Sequence, residues 1–596
     1  LKAIGRLRER VSMALAQSEL DTEAARLAEA YPESNAGQGG RIVPLAEDLM
    51  RPMRPALLMV QAGALLLLLI ACANIANLLL ARAAASRREF AVRIALGASR
   101  ARLMRQVAVE CALLAVIGGG LGLLLTTVGA DAVARAGTGV LPDIVNLEPD
   151  LRVVTFVIGA TFTSALVLAF GPVFWAGALA AGSARNGDAL LVALRGGGRG
   201  TTPAHSGLRR ALVTAQVGLA LVALVDGGLL VGSYRRLQAV PPGFDARGVL
   251  TAQVALPDAR YPRGQKQIAF FRALTNRMAR LPGVTATGAV SILPESPNFD
   301  QTHFRVVGRA YGPGETPGAD LYRVTPGYFA ALDIPLLSGR GLTADDDDRH
   351  PPVAVINATM ARRLFQDSSA VGRRIWSGAG NRERTIVGVV GDVYQYGLDS
   401  KRTMQLYVPH ADNSGGQLTV AIRTSGDREA LALVPALRAA VRALDPDVPL
   451  DDVMTLAQVV AGSAARRQFL ARVSLGLAAG ALLLAAIGLY GVMAYATVQR
   501  TGEFGIRMAL GASSREIAGL VARDGVALTL RGLLVGLVLA RLTAPYITTL
   551  LFGVTSTDTT TYLASPVILL CVAVLSCVLP ALRAAAANPL MALRGE

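Results

Sequence analysis

Charge is scarce in this chain, and lysine is scarcer still. Of 596 residues only 17% are charged, where a soluble protein carries about 25%. Just three of the 59 basic residues are lysine: Lys2, Lys266 and Lys401. Apolar residues reach 52%, and mean hydropathy is +0.43. That balance excludes a disordered chain and argues against a purely soluble one. The few cysteines, Cys72, Cys111, Cys571 and Cys577, all sit in apolar stretches, so neither a disulfide framework nor a zinc site is supported. His303, His350 and His410 lie far apart without ligand spacing. No Gly-Lys pair occurs anywhere, so the GxxxxGK[ST] phosphate loop is missing and the chain carries no nucleotide-hydrolysing motif of its own. No cofactor and no metal site are expected, and Gly196–Gly200 reads as a flexible linker.

What is present is a set of long apolar runs. A membrane-spanning helix needs about 20 such residues. Uncharged windows run 55–81, 111–130, 153–184, 473–499 and 559–582, and two further spans, 211–234 and 525–540, hold one ion each, Asp226 and Arg531. Seven spans follow, with a polar region at 235–467. Connector 82–106 has seven Arg and one acid, 185–210 has five Arg and one Asp, and 500–524 has four Arg and three acids. Connector 131–152 reverses the balance, with two Arg and four acids. The Arg-rich connectors and the C-terminus are therefore expected in the cytoplasm and 235–467 outside it. The net charge of +16 then reads as a topology signal, and no nucleic-acid partner is expected.

The chain repeats itself. Glu89-Phe-Ala-Val-Arg93-Ile-Ala-Leu-Gly97-Ala-Ser99 matches Glu503-Phe-Gly-Ile-Arg507-Met-Ala-Leu-Gly511-Ala-Ser513, 414 residues on, and Val43-Pro44-Leu45 weakly echoes Val448-Pro449-Leu450. Two tandem halves are implied. By the same offset, roughly 200 residues of a first half are expected upstream, for a native chain of about 800 residues and eight spans. Within each copy the span helix is expected to run on through Glu and Arg, which pair at i and i+4. Gly97 or Gly511 then takes the left-handed turn that ends a helix, and Ser99 or Ser513 caps the next one.

These residues resemble a family. The elbow, with the upstream Ala71-Cys-Ala-Asn74-Ile-Ala-Asn77-Leu-Leu-Leu-Ala-Arg82, is similar to the FtsX/MacB-type ABC transporter permeases. The duplication, Pro242-Gly-Phe-Asp245, Ile386-Val-Gly-Val-Val-Gly-Asp392-Val and Leu551-Phe-Gly-Val-Thr-Ser-Thr-Asp558 resemble the acidobacterial-type duplicated, often orphan, permeases. The resemblance implies an α-helical protein of the bacterial inner membrane made of two FtsX-like halves, with a large extracytoplasmic mixed α/β domain. It implies 1–54 as the end of a first periplasmic domain, 55–184 as a three-helix membrane unit, 185–208 as a cytoplasmic linker and 209–234 as the span opening the second half. A MacB-like core domain at 235–467, a second three-helix unit at 468–586 and a cytoplasmic tail at 587–596 follow. It also implies a cytoplasmic ABC ATPase dimer that grips the elbows, Glu89, Arg93, Gly97, Ser99, Glu503, Arg507, Gly511 and Ser513, and drives the periplasmic domains through the helices. The outputs to weigh are substrate efflux or extraction, mechanical control of a periplasmic envelope enzyme, and an ATPase-free scaffold. A periplasmic adaptor is a further implied partner.

Asp226 and Arg531 depart from the family pattern. Ions inside a bilayer are costly; these two are expected either to pair, if their spans meet, or to sit separately at helix interfaces. In 235–467, strands are expected at Val249–Leu256, Val284–Ile292, Val353–Ile356, Thr385–Val390 and Leu418–Ile422, with amphipathic helices over 265–281, 357–366 and 428–444. Asp345 to Asp348 reads as a solvated turn.

Overall fold

A computed structural model describes residues 3–585 apart from 32–34, 36, 38, 86–99, 137–149, 164–202, 297, 313–314, 367–368 and 379–381. The chain divides into two compact units, one comprising Leu1–Asp48 with Leu237–Arg466, the other Leu49–Arg236 with Arg467–Glu596.

Along the chain come α1 (Met13–Ala30), α2 (Leu45–Met50), α3 (Arg54–Ala85), α4 (Arg100–Ala136), α5 (Leu151–Thr163) and α6 (Pro203–Gln238). Then follows the α/β domain. Its strands are β1 (Val249–Ala255), β2 (Val284–Val290), β3 (Gln301–Val306), β4 (Gly318–Val324), β5 (Leu336–Gly339), β6 (Val353–Asn357), β7 (Arg374–Ser377), β8 (Arg382–Val390), β9 (Gln405–Pro409), β10 (Gln417–Thr424) and β11 (Leu450–Thr455). Its helices are α7 (Gln265–Ala279), α8 (Tyr328–Leu332), α9 (Ala358–Phe365), α10 (Asp427–Ala432) and α11 (Val434–Leu444). The chain ends with α12 (Leu456–Gln499), α13 (Thr501–Ala509), α14 (Ser514–Ile547) and α15 (Thr559–Ala585).

The strands run in the order β11-β1-β10-β2-β4-β3-β7-β8-β6-β9, and β9 returns to pair in parallel with β4. That last pairing closes six strands into a ring, while β11, β1, β10 and β2 remain an open antiparallel sheet. Alternation of apolar residues explains the split. Leu250, Ala252 and Val254 of β1 pack with Phe271, Leu274, Leu437 and Val441 of the flanking helices. The ring encloses its own core of Phe304, Ile356, Ile375, Ile386 and Leu406. All five expected strands and the helical regions are present. The helix expected over 428–444 is broken at Leu433, since Pro435 offers no N–H and starts a new helix.

Six helices are long and apolar enough to cross a membrane among the described residues: Arg54–Leu78, Ala112–Asp131, Gly207–Gln238, Leu456–Gln499, Ser514–Leu550 and Thr559–Ala585. Of the expected span 153–184, only α5 is described. Small residues set the closest helix contacts. Gly532 and Gly536 of α14 face Gly218 of α6 so closely that a Cβ at Gly536 would stand 2.8 Å from the Gly218 carbonyl oxygen. Lipid supplies no hydrophobic drive between helices, so such backbone proximity is what holds them.

Candidate functional site

The described elbow is built from short-range rules. α12 runs 44 residues from the domain side and stops at Gln499. Contrary to the expectation of a continuous helix, Arg500 breaks it, and α13 carries the motif separately. Phe504, 1% exposed, anchors α13 in the core of the membrane unit. On the outer side Arg507 donates to Glu503 at 2.6 Å, one helical turn apart. Gly511 adopts φ +99°, and the Ala512 N–H donates to the Arg507 carbonyl and the Gly511 N–H to the Met508 carbonyl, both at 3.0 Å. This is a Schellman closure, which a Cβ-bearing residue would strain. Ser513 then accepts from the Glu516 N–H while Glu516 accepts from the Ser513 N–H at 2.9 Å, a reciprocal cap that starts α14. Arg500 pairs with Asp524 across the bend at 3.0 Å. The product is a rigid surface on which Leu510 is 83% exposed beside the Glu503–Arg507 pair. The first copy, Glu89, Arg93, Gly97 and Ser99, lies outside the described residues.

Asp226 and Arg531 do not meet. Asp226 is half-buried on α6 with one carboxylate oxygen unpartnered among the described residues, whereas Arg531 is exposed on α14. Their spans touch, but through the glycines, and Arg531 points off that face.

Two features went unread in the sequence. The first is a polar knot. Asn74 of α3 and Gln216 of α6 both donate to the Leu484 carbonyl of α12 at 2.8 Å. Beside them the Arg209 guanidinium lies 4.1 Å from the Tyr495 ring centre. Amides interrupting apolar spans were the available signal. The second is a collar at the opposite end from the elbow. Arg236 donates to the Gly553 carbonyl and pairs with Asp558 at 3.3 Å. The Phe552 N–H donates to the Ser233 hydroxyl at 2.8 Å, and Arg467 donates to the Leu550 carbonyl at 2.8 Å. The loop after α14 thus grips α6 and α12, the two helices between which the α/β domain is inserted. Hydrogen bonds from Thr560 and then Thr561 hold the Asp558 carboxyl below its ordinary range, which keeps it charged for Arg236.

Residues 237–454 match the model of the MacB-like periplasmic core domain. Residues 62–186 and again 475–589 match that of the FtsX-like permease C-terminal domain. The chain belongs to the FtsX/MacB-type ABC transporter permeases. It is 26% identical over 233 residues to the uncharacterized ABC transporter permease YknZ of Bacillus subtilis, covering 37% of this permease and 56% of that protein. It is 24% identical over 253 residues to the macrolide export ATP-binding/permease protein MacB of Aggregatibacter actinomycetemcomitans, covering 41% and 38%. The chain therefore spans about half the length of the curated relatives it matches. The periplasmic region of MacB from Actinobacillus actinomycetemcomitans aligns at 18% identity and TM-score 0.26, covering 36% of this permease and 92% of that chain. The permease is an inner-membrane protein with a periplasmic domain, and its FtsX unit occurs twice.

Proposed function

We propose that this permease transmits the motion of a separate cytoplasmic ABC ATPase to its periplasmic domain, and that the output is efflux or extraction of a substrate. The observation that carries this is the second elbow, a charged and apolar ledge built by residues 503–516, whose sequence recurs at 89–99 in the first FtsX unit. A docking surface must keep its shape under load, and the Schellman closure and reciprocal cap supply that stiffness. From the elbow, α14 leads directly to the collar loop, and the collar holds the two helices that lead into the domain. A push on α13 therefore has a short covalent and hydrogen-bonded route to the domain's roots. MacB relatives are named as ATP-binding and permease proteins together; no nucleotide loop occurs in this sequence, so we assign hydrolysis to a partner.

The test is affinity purification of the full-length chain from its host, followed by ATPase assays. A co-purifying ABC ATPase stimulated by the permease is expected. Replacing Glu89, Arg93, Glu503 and Arg507 together with alanine should abolish stimulation without lowering the yield of folded permease. Stimulation that survives all four changes removes the elbow from this role, and the absence of any ATPase overturns the reading.

A further inference from the structure

Arg523, Arg531 and Arg541 lie exposed on α14, away from the glycines that meet α6. At 1.5 Å per residue, Arg523 and Arg541 stand about 27 Å apart along the helix, close to the thickness of a bilayer's hydrocarbon core. They mark its two edges, and Arg531 falls about 12 Å inside the elbow-side edge. A charge at that depth is costly unless it finds a partner. α14 supplies none. Both of its acids are engaged, Glu516 in the Ser513 cap and Asp524 with Arg500. Among the described residues no ion pair joins Arg523 or Arg531 to an acid.

The first half shows what surrounds this face. At the 414-residue offset Asp524 matches Glu110, and Gly532 and Gly536 match Gly118 and Gly122, so α14 and α4 are in register. Arg523, Ala527 and Arg531 then match Val109, Leu113 and Ile117, all three exposed and apolar on α4. An apolar, exposed surface on a membrane helix is one that lipid covers. The second half places arginine at two of these three positions and removes the bulk from the third. Ala527 lies one helical turn from each arginine. Side chains of a helix lean toward its N-terminus, which for α14 is the elbow end. Arg531 can therefore reach across the Ala527 methyl toward Arg523, along a path that a leucine would block.

We propose that Arg523 and Arg531 hold the phosphate of an anionic phospholipid from the elbow-side leaflet. A guanidinium grips a phosphate through two parallel N–H bonds, and the acyl chains lie along Leu534, Val535 and Val538, exposed beyond Arg531. Two arginines on one phosphate leave an excess of positive charge, which favours a lipid of net negative charge over a zwitterionic one. The chain has this site in its second half alone, because α4 carries neither arginine at the matching positions.

The test uses full-length permease in nanodiscs of phosphatidylcholine, with and without phosphatidylglycerol. Thermal midpoint is measured in both, and retained lipid is counted by native mass spectrometry. Phosphatidylglycerol should raise the wild-type midpoint and remain bound. Arg531→Leu should remove that rise and cut retention roughly tenfold, as loss of a charge-assisted contact implies. Arg531→Lys keeps the charge without the paired bonds and should fall between, while Arg541→Leu should keep the full rise. If Arg531→Leu does not fold, Arg523→Leu and Arg531→Lys still report on the same site. A phosphatidylglycerol effect that survives Arg531→Leu overturns the proposal. So does an equal loss of midpoint in both lipid mixtures, which would assign the arginine to a protein contact. Soluble glycerol phosphate that reproduces the rise in phosphatidylcholine alone would show that the occupant is a free anion and would overturn it too.

Discussion

Arg384 is fully buried, and its partner Asp412 is 1% exposed. Asp412 also accepts from Arg382 at 2.6 Å. Removing the shared carboxylate breaks a buried ion pair, which typically costs about 3–5 kcal/mol. Asp412→Ala should therefore lower the unfolding midpoint of the full chain steeply, read by Trp376 fluorescence, and an unchanged midpoint contradicts the pair's role. Glu295 behaves differently. Burial pushes its carboxyl up to about 7, and neighbouring Asp399 adds to the rise. A raised folded pKa means that stability is fully present below the ordinary carboxyl range and is lost as pH rises through about 7. Glu295→Gln should raise the midpoint near pH ~8 and leave it almost unchanged near pH ~4; equal effects at both values refute the assignment. Neither residue was singled out from the sequence, because burial of a lone acid or arginine depends on which strands lie over it. The run Asp345–Asp348 shows the same limit. It reads as a solvated turn, yet Asp346 is buried and accepts twice from Arg340, and Asp347 is buried against Arg349 and His350.

At the scale of elements, local chemistry was legible where it is self-contained. The Glu503–Arg507 pair, the turn at Gly511 and the cap at Ser513 all follow from residues within a few positions of each other, and each forms as the spacing implies. The break at Arg500 was not legible, since the apolar and helical patterns pass through it. Six strands, among them β3, β4 and β9, also went unread: several are too short to show alternation, and β9 finds its partners far back in the sequence, on β4 and β6. The echo of Val-Pro-Leu is instructive. Leu450 opens β11 because β1 lies beside it, whereas Leu45 opens α2, with no strand paired to it among the described residues. For the membrane helices, glycine placement predicts a graded outcome. Gly536→Leu forces α14 off α6 and should destabilise by about 1–3 kcal/mol. Gly519→Ala on the same helix meets nothing within 4 Å, so its midpoint should hold. Equal loss for both would mean that backbone proximity is irrelevant there.

At the scale of the whole molecule, the collar ties the loop after α14 to α6 and α12, the helices that precede and follow the α/β domain along the chain. If it carries the motion, Arg236→Ala with Arg467→Ala should leave ATPase stimulation intact while abolishing the ATP-dependent change in a spin-label distance within 237–466. A distance change that persists in the double variant sinks that route. The span pattern, the repeat and the elbow chemistry were determined by the sequence alone, because apolar run length, a 414-residue self-match and i to i+4 spacing are properties of the chain before it folds. Tertiary structure decided which faces meet. It separated Asp226 from Arg531, set Asn74 and Gln216 on one carbonyl of α12, and brought Gly63 against Leu477. Those outcomes depend on how closely two backbones can approach, and that is settled only when bulk and absence of bulk on different helices are brought together.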